Sequence, residues 1–497
     1  MTLKVEGDPG YGSMSAGCRF TGLDDSETVP LLIPDPELRQ HTWKPLNKEE
    51  LEKCAGGPGW KKIRSCLVLA FWVGWVIMLA SAIAVIVQTP RMVTPLLLWW
   101  QKDPFYRLQL VVDAENGKTS SISRLSKQLP YLKSLGVGVL ILEGLLRKDV
   151  SLPNLTQIDR GLGTRPQFRQ LMTESRKAGL RIMLDLCEMG PFEPVLSNDT
   201  EVRSAGSGYM QDSLRYWLEQ GVSGFEFCDT DVTSVKTLME WGVLMREFSS
   251  QDDERILMVR QTGVTLPEVT MSNLVNGSLV KMVTKSLIPP SHHPLSAPEV
   301  AEAIETNLQM PQEDWPSWTV GGEVPWELQR TILILIMTLP GTPIIKYGDE
   351  INPIQDIYVN VSDGNGDATK QSLDELRRPL ALFRSLSQSR AREEALHFGS
   401  FIFLPFNTTM SSSTFNATAT PPLAFLRSWG CVQFLVVFNL GPEPHAVDPE
   451  WAQSLPDSGV FVTSTGLDRL GPVSLQSLKL QPHEAIVIKL FHTDNSS

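Results

Sequence analysis

The sequence predicts a single membrane-spanning helix followed by a (β/α)8 barrel and an antiparallel β-sandwich domain. Three observations lead to this fold class: an uncharged apolar run at 66–87, a repeated alternation of strands and helices after it, and a last segment whose strands follow one another without helices. A helix needs roughly 20 apolar residues to cross a bilayer. Buried strands joined by helical crossovers form parallel sheets, and about eight such units close into a barrel.

The apolar run from Cys66 to Val87 contains no charged residue. It is longer than the apolar core of a signal peptide, about 7–15 residues, and it lies far from the N-terminus. Lys61, Lys62 and Arg64 precede it, and basic residues after it are sparser. Because positive flanks stay in the cytoplasm, we expect a type II signal-anchor, with the N-terminus inside and the large C-terminal part outside. A buried core helix is the alternative.

Asn-x-Ser/Thr sequons agree with this orientation, because all of them follow the apolar run. Glycosylation takes place on the luminal side of the membrane. The alternative is that several sequons are buried and unused. The candidate glycosylated residues are Asn154, Asn198, Asn276, Asn360, Asn407, Asn416 and Asn495.

The predicted domain limits follow from changes in composition and periodicity. We expect a largely disordered cytoplasmic tail at 1–60 with a short juxtamembrane helix at Lys48–Cys54, and a transmembrane segment at 61–90. Trp99 and Trp100 then suit the outer membrane interface. The barrel is predicted at 91–390 and the C-terminal β-domain at 391–497.

The predicted barrel strands are 108–112, 137–142, 181–186, 224–228, 256–261, 279–284, 318–320 and 344–347. Several helices between them end at a glycine, which is a common helix terminator. In the C-terminal domain, strands are predicted at 401–405, 432–438, 460–463 and 485–490.

One face of the apolar helix consists mostly of small residues, which recur in alternating steps of four and three. Small residues allow a second helix to approach closely, and close packing drives helix association in lipid. Chance is the alternative, since small residues are common in membrane spans. The candidate partner-helix face is Ala70, Gly74, Ile77, Ser81 and Ala84.

The net charge bears on the kind of partner, and the positions of the cysteines bear on possible disulfides. The net charge of −12 argues against nucleic acid as a partner. Three of the six cysteines follow the span, namely Cys187, Cys228 and Cys431. Cys187 and Cys228 end adjacent predicted strands, so a disulfide is feasible if their Cα atoms lie within about 7 Å. The sequence favours two buried free thiols there, since free cysteine is among the most buried residue types.

Several segments resemble, in order, the α-amylase family of glycoside hydrolases. They are YLKSLGVGVLIL (131–142), QIDRGLGTRPQFRQLM (157–172), RIMLDL (181–186), GVSGFEF (221–227) and, most specifically, PGTPIIKYGDEI (340–351). The resemblance implies a TIM barrel. The short stretch after the third strand implies that the domain B inserted there in the family is absent.

The same resemblance places degenerate residues where the family's catalytic groups stand. A retaining glycosidase needs a carboxylate nucleophile and a carboxylic acid about 5–5.5 Å apart. Cys228 stands at the nucleophile position, Glu226 at that of the family's arginine, and Gln261 at that of the acid, with Arg260 as the alternative alignment. Val324 lies at the seventh-strand motif, and Asp185 alone is retained from the third-strand motif.

These replacements imply no glycosidase activity. The sequence contains no evident metal-ligand cluster or phosphate-binding glycine loop, so we expect no metal site and no cofactor. The alternative is a relocated catalytic pair, Asp185 with Glu226, in a membrane-anchored α-glucosidase.

The chain also resembles the heavy-chain family of heteromeric amino acid transporters, in particular its 4F2 antigen type. The segments that carry this resemblance are PGWKKIRSCLVLAFWVGW (58–75), WWQKDPFYRLQL (99–110), LPGTPIIKYGDEI (339–351) and LKLQPHEAIVIKL (478–490). It implies a non-catalytic glycoprotein that carries a multi-pass amino acid transporter light chain to the plasma membrane and stabilises it there.

The stretch just outside the span departs from this family. Family members carry a cysteine there that forms a disulfide with the light chain, whereas this chain has Met92 and its neighbours and no cysteine. The expected association with the light chain is therefore non-covalent, alongside membrane lipid. A stand-alone adhesion or signalling protein with cell-surface receptors as partners is the rival hypothesis.

Overall fold

The computed structural model describes residues 47–55, 58–88, 96–111, 121–146, 155–187, 200–228, 235–261, 280–288, 297–308, 315–322, 324–346, 367–404, 422–446 and 455–491. The chain forms two compact units, Met1–Arg91 and Met92–Ser497.

The first unit contributes two helices, α1 (Lys48–Ala55) and α2 (Pro58–Gln88). Asn47 caps α1, since its Oδ1 accepts a hydrogen bond from the backbone N–H of Lys48 at 3.0 Å. The α2 helix starts well before the apolar run, because proline suits the first helical turn and the basic residues after it favour a helix. Among the described residues, Gly59–Val87 is the one helix long and apolar enough to cross a membrane.

The second unit begins with a closed barrel in which eight strands follow one another in chain order. The strands are β1 (Phe105–Gln109), β2 (Val139–Glu143), β3 (Arg181–Asp185), β4 (Gly224–Cys228), β5 (Ile256–Arg260), β6 (Met282–Ile288), β7 (Trp315–Gly321) and β8 (Thr342–Lys346). The helices are α3 (Trp99–Lys102), α4 (Ser121–Ser134), α5 (Arg165–Lys177), α6 (Thr200–Glu219), α7 (Val235–Glu247), α8 (Ala297–Leu308) and α9 (Gln329–Thr338). The predicted fold class is confirmed.

Five barrel strands begin at residues other than the predicted ones, namely β1, β2, β6, β7 and β8. Two of them, β1 and β6, also contain a buried charge. β1 starts three residues earlier than predicted and includes Arg107, which is 2% exposed. β6 starts three residues later and includes Lys285, which is 7% exposed. A charged residue inside a strand interrupts the apolar pattern from which strands are predicted.

The short helix α3 closes the N-terminal end of the barrel. Trp100 is 5% exposed and lies in the core cluster formed there by residues such as Phe105 and Met258. The Nε1 atom of Trp100 donates a hydrogen bond to Glu254 Oε2 at 3.0 Å, and that of Trp99 donates to the Glu254 backbone oxygen at 3.0 Å. The placement of these two tryptophans at the membrane interface is therefore wrong.

After the barrel, α10 (Asp367–Arg392) and α11 (Glu394–His397) lead into an antiparallel region. Its six-stranded sheet has the order β14-β13-β16-β11-β10-β9, and β12 pairs with β15. The strands are β9 (Ser400–Phe403), β10 (Leu423–Trp429), β11 (Val432–Phe438), β12 (His445–Ala446), β13 (Ser458–Ser464), β14 (Pro472–Ser474), β15 (Lys479–Leu480) and β16 (Ala485–Leu490). The domain limits given above stay a prediction.

Two buried arginines from outside the barrel cap the C-terminus of α9. The last carbonyls of a helix have no hydrogen-bond partner within the helix. Arg390 of α10 and Arg427 of β10 donate hydrogen bonds to backbone carbonyls at this end of α9. The acceptors of Arg390 are the oxygens of Met337, Leu339 and Gly341, and those of Arg427 are the oxygens of Thr338, Leu396 and Gly399. Burial lowers the pKa of Arg390 to about 10, and burial together with the charge of Arg390 lowers that of Arg427 to about 9.

Candidate functional site at the barrel mouth

The retained acidic residues lie where β3 and β4 reach the C-terminal end of the barrel. Asp185 is the last residue of β3 and pairs in register with Glu226 of β4. Register neighbours on parallel strands point to the same side of the sheet. Both side chains are therefore directed to one place, and they are 5% and 0% exposed as residues.

Arg107 from β1 lies between these two carboxylates. Its Nη1 atom donates to Asp185 Oδ2 at 2.8 Å, and its Nη2 atom donates to Glu226 Oε1 at 2.7 Å. The side chain of Arg107 is 3% exposed. One guanidinium thus holds both acids in a buried ion cluster, the geometry in which charge-assisted hydrogen bonds are strongest.

Two further groups complete the surroundings of Asp185. Arg260, the last residue of β5, donates from Nη2 to Asp185 Oδ2 at 3.1 Å. The backbone N–H of Cys187 donates to Asp185 Oδ1 at 2.8 Å. Glu226 Oε2, in contrast, has no hydrogen-bond partner among the described residues.

Burial and charge act on the titration of this cluster. Burial raises the pKa of Asp185 to about 7, and the neighbouring charge of Glu226 raises it too, whereas Arg107 and Arg260 oppose the shift. Burial alone would lower the pKa of Arg107, but the charges of Glu226 and Asp185 raise it on balance.

A disulfide joins Cys187 and Cys228 beside the ion cluster, with a Cα–Cα distance of 4.8 Å. The expectation of two free thiols is therefore wrong. Both strands end at the barrel mouth and both side chains turn inward, which brings the sulfur atoms together. The residue at the family's nucleophile position, Cys228, is thus covalently bonded, and Arg260 Nη2 lies 3.9 Å from its Sγ atom.

The other degenerate positions lie in the same region of the barrel. Gln261 directly follows β5 and donates its backbone N–H to the Thr284 oxygen at 2.9 Å. Val324 is half-buried and packs against the main core. Sequence reasoning missed Arg107, although an arginine inside a buried strand requires an acidic partner and could have indicated one.

The remaining predicted sites are described only in part. All five residues of the candidate partner-helix face are exposed on α2. The seven sequon asparagines and Met92 lie outside the described residues. In the described part of the chain, no group of three or more His, Cys, Asp or Glu side chains is arranged to hold a metal ion.

The raised pKa of Asp185 predicts a specific pH dependence. The folded protein keeps a proton on Asp185 that the unfolded chain releases between about pH 4 and 7, so this residue favours folding less as the pH rises. From pH 5.5 to 8, the free energy of unfolding should fall by about 2 kcal/mol more in the wild type than in Asp185→Asn. Chemical denaturation at both pH values measures this difference. The exposed Asp457→Asn substitution is the control, and parallel pH profiles for all three proteins would contradict the prediction.

Comparison with known proteins finds similarity to amino acid transporter heavy chains. Residues 34–106 match the family described as "Solute carrier family 3 member 2 N-terminus". The rabbit (Oryctolagus cuniculus) amino acid transporter heavy chain SLC3A2 is 28% identical over 488 residues, 89% of this chain and 87% of the relative. The chain is a relative of the amino acid transporter heavy chains. The rat SLC3A2 heavy chain is 29% identical over 89% of this chain and 88% of its own length.

The second known type of heavy chain is less similar. The mouse heavy chain SLC3A1 is 20% identical over 71% of each chain. Together with α2, the one described helix that is long and apolar enough to cross a membrane, these heavy-chain relatives are consistent with a single-pass membrane protein.

Solved structures show the fold of the second unit. An isomaltulose synthase from a Klebsiella species has a TM-score of 0.58 and 15% identity, covering 80% of this chain and all of its own. Trehalulose synthase MutB from Pseudomonas mesoacidophila has a TM-score of 0.57 and 15% identity over the same shares. At this identity the likeness concerns the α-amylase-like fold alone.

Proposed function

We propose that this heavy-chain relative is the non-catalytic heavy subunit of a heteromeric amino acid transporter. It associates non-covalently with a multi-pass light chain, assists its trafficking to the plasma membrane and stabilises it there. The observation that carries the proposal is the similarity to amino acid transporter heavy chains over 89% of the chain. Amino acid transport itself is then a property of the light chain.

The chemistry of the barrel mouth supports a non-catalytic role. A glycosidase leaves room for a sugar between its two carboxyl groups, whereas here Arg107 is hydrogen-bonded to Asp185 and Glu226 at the same time. Both acids are also buried, so a glycosidic oxygen does not reach them. The family's nucleophile position is occupied by half of a disulfide.

The orientation we propose places the N-terminus in the cytoplasm and the barrel outside, with sugars on some of the sequons. The basic residues before the apolar run support this orientation. Inside the membrane, the small-residue face of α2 is the proposed contact with the light chain. A Cβ atom added at Gly74 meets no other atom of the chain within 4 Å, so that position is open to a partner helix.

Co-purification in mild detergent tests the association. The tagged wild type should recover a multi-pass amino acid transporter subunit, and the two should separate on a gel without reductant. In Gly74→Leu/Ser81→Leu, the added bulk keeps the partner helix at a distance, and we expect a several-fold lower recovery. The matched control is Val76→Phe/Ile83→Phe, which adds bulk at a similar depth on the opposite face of α2.

Three outcomes would contradict the proposal. The wild type could reach the cell surface without any transporter subunit, which would favour the stand-alone adhesion or signalling protein. Both double variants could lose the subunit equally, which would remove the small-residue face from the contact. Hydrolysis of maltose or an aryl glucoside that is lost in Asp185→Asn would favour the α-glucosidase.

A further inference from the structure

Two neighbouring barrel helices form a basic surface on an acidic protein. α4 contains three basic residues and no acidic one, and α5 contains four basic residues and one acidic one. Each helix therefore carries a charge of +3, although the whole chain carries −12. The two helices pack against each other, so their charges share one side of the barrel.

Three arginines of α5 form a line on that surface, which we call the arginine row: Arg165, Arg169 and Arg176. Successive helical residues are 100° and 1.5 Å apart, so these side chains lie within about 40° of one another and extend over roughly 16 Å. All three are exposed.

The described contacts of the arginine row involve uncharged groups. Arg169 Nε donates to Gln220 Oε1 at 3.0 Å. Arg165 Nη2 lies 3.5 Å from the Thr156 oxygen, and its guanidinium carbon lies 5.3 Å from the centre of the Tyr216 ring. Within the part of the chain that the structure describes, no carboxylate forms a salt bridge with the row. The described part of the chain thus supplies these guanidinium groups with no ion-paired carboxylate.

Nearby acidic residues are directed to other partners. Glu174 Oε1 of α5 accepts a hydrogen bond from Gln170 Nε2 at 2.8 Å. On α6, the charges of Glu219 and Asp212 act on Arg215. Among the described residues, none of these three acids forms a salt bridge with the row.

The positive potential continues beyond the C-terminal end of α5. Arg255 is ion-paired with Asp253 at 2.9 Å. Burial nevertheless lowers the pKa of Arg255, and the charges of Arg181 and Arg176 lower it further. Arg176 therefore lies near two further arginines, Arg181 and Arg255, at this end of the row.

We propose that the arginine row binds a sulfated polysaccharide at the cell surface. This inference rests on the proposed orientation, in which the barrel lies outside the cell. Guanidinium groups form paired hydrogen bonds with tetrahedral and planar oxyanions. A linear array of them fits an extended polyanion, because successive anionic groups then meet successive cations.

Other anionic partners fit the arginine row less well. Anionic lipids are concentrated in the cytoplasmic leaflet, on the opposite side of the membrane from the barrel in the proposed orientation. A protein partner would require an apolar centre in its contact surface, whereas the exposed α5 residues around the row include Gln170, Thr173 and Lys177.

Binding of the full-length protein in detergent to immobilised heparin tests the proposal at 0.15 M NaCl. We expect the wild type to be retained and Arg165→Gln/Arg169→Gln/Arg176→Gln to lose about tenfold or more in affinity, because fewer counterions are released. For the same reason the slope of log affinity against log salt should fall by about 2–3. The control Arg246→Gln/Arg392→Gln/Lys479→Gln removes the same charge from exposed positions elsewhere and should bind like the wild type.

A second measurement on the wild type avoids any folding defect of the variants. Heparin should protect the three arginines of the row from an arginine-specific dicarbonyl reagent, as judged by peptide mass spectrometry. Three results would overturn the proposal: no retention of the wild type, equal loss in both triple variants, or competition by anionic vesicles but not by heparin. Heparin binding requires no transporter subunit, so its failure is distinguishable from failure to recover a light chain.

Discussion

Arg107→Met should destabilise the second unit by about 3–5 kcal/mol, because it leaves two buried carboxylates without their shared cation. Asp185 would keep Arg260 and the Cys187 N–H, but Glu226 would lose the one cationic partner that it has in the cluster. A chemical denaturation curve followed by tryptophan fluorescence measures the loss at pH 8. At pH 5.5 the loss should be smaller, since protonation of Asp185 removes one of the two negative charges that Arg107 balances.

A triple variant separates the effect of charge from that of packing. In Arg107→Met/Asp185→Asn/Glu226→Gln, both acids that Arg107 binds are replaced by neutral amides. Most of the free energy of unfolding that Arg107→Met loses should therefore be recovered. Replacing a complete buried ion cluster by neutral groups is often close to neutral. Arg215→Met breaks an exposed pair with Glu247 and should leave the denaturation midpoint nearly unchanged. The interpretation fails if Arg107→Met behaves like Arg215→Met, or if the triple variant is as unstable as the single one.

The ion cluster around Arg107 also explains how the barrel tolerates Glu226, an acidic residue buried inside β4. By the resemblance to the α-amylase family, an arginine stands at this position. Here the cation comes from β1 instead, so the aspartate keeps an arginine partner although the fourth strand supplies an acid. A second carboxylate is thereby buried in the barrel mouth without leaving Asp185 unpaired.

The strands whose limits were predicted correctly are those in which a run of apolar residues in the sequence indicates burial. β4, β11 and β16 are continuous apolar or nearly apolar runs, and their observed limits match the predicted ones. β1 and β6 were displaced by three residues, and each includes a buried cation, Arg107 or Lys285, that the apolar pattern does not indicate. The partners of Arg107 lie 78 and 119 residues away in the chain, and no local pattern indicates contacts at that distance.

The disulfide was missed for a related reason. Cys187 and Cys228 are 41 residues apart, and the sequence shows only that both follow or end a strand. Whether two such thiols meet depends on the direction of each side chain at a strand end. A shift of one residue turns a strand side chain to the opposite face. That direction comes from the closed barrel and not from either strand alone.

The two arginines at the end of α9 combine long-range contact with helix capping. Every residue of α9 from Thr331 to Thr338 is buried, so water does not reach the carbonyls at its C-terminus. Arg390 and Arg427 supply the missing donors, and the negative end of the helix dipole favours their positive charge. Because α9 belongs to the barrel and Arg427 to β10, these hydrogen bonds also connect the barrel with the antiparallel sheet.

Arg427→Met should therefore lower the free energy of unfolding by about 3–5 kcal/mol, since each buried carbonyl left without a donor costs about 1–3 kcal/mol and the relieved burial of the charge offsets part of this. Arg427→Lys should recover a part of the loss, because an ammonium keeps the charge but does not reproduce the planar fork that serves three carbonyls. Chemical denaturation measures both variants, with the exposed Arg384→Met as the control.

Hydrogen exchange adds a local test. If the arginine connects the two regions, amides at the end of α9 and in α11 should exchange faster in Arg427→Met, while those of β2 and β3 should change only with the global stability. Uniform acceleration throughout the unit, or stability equal to that of Arg384→Met, would show that the carbonyls find other donors and that Arg427 does not connect the barrel with the sheet.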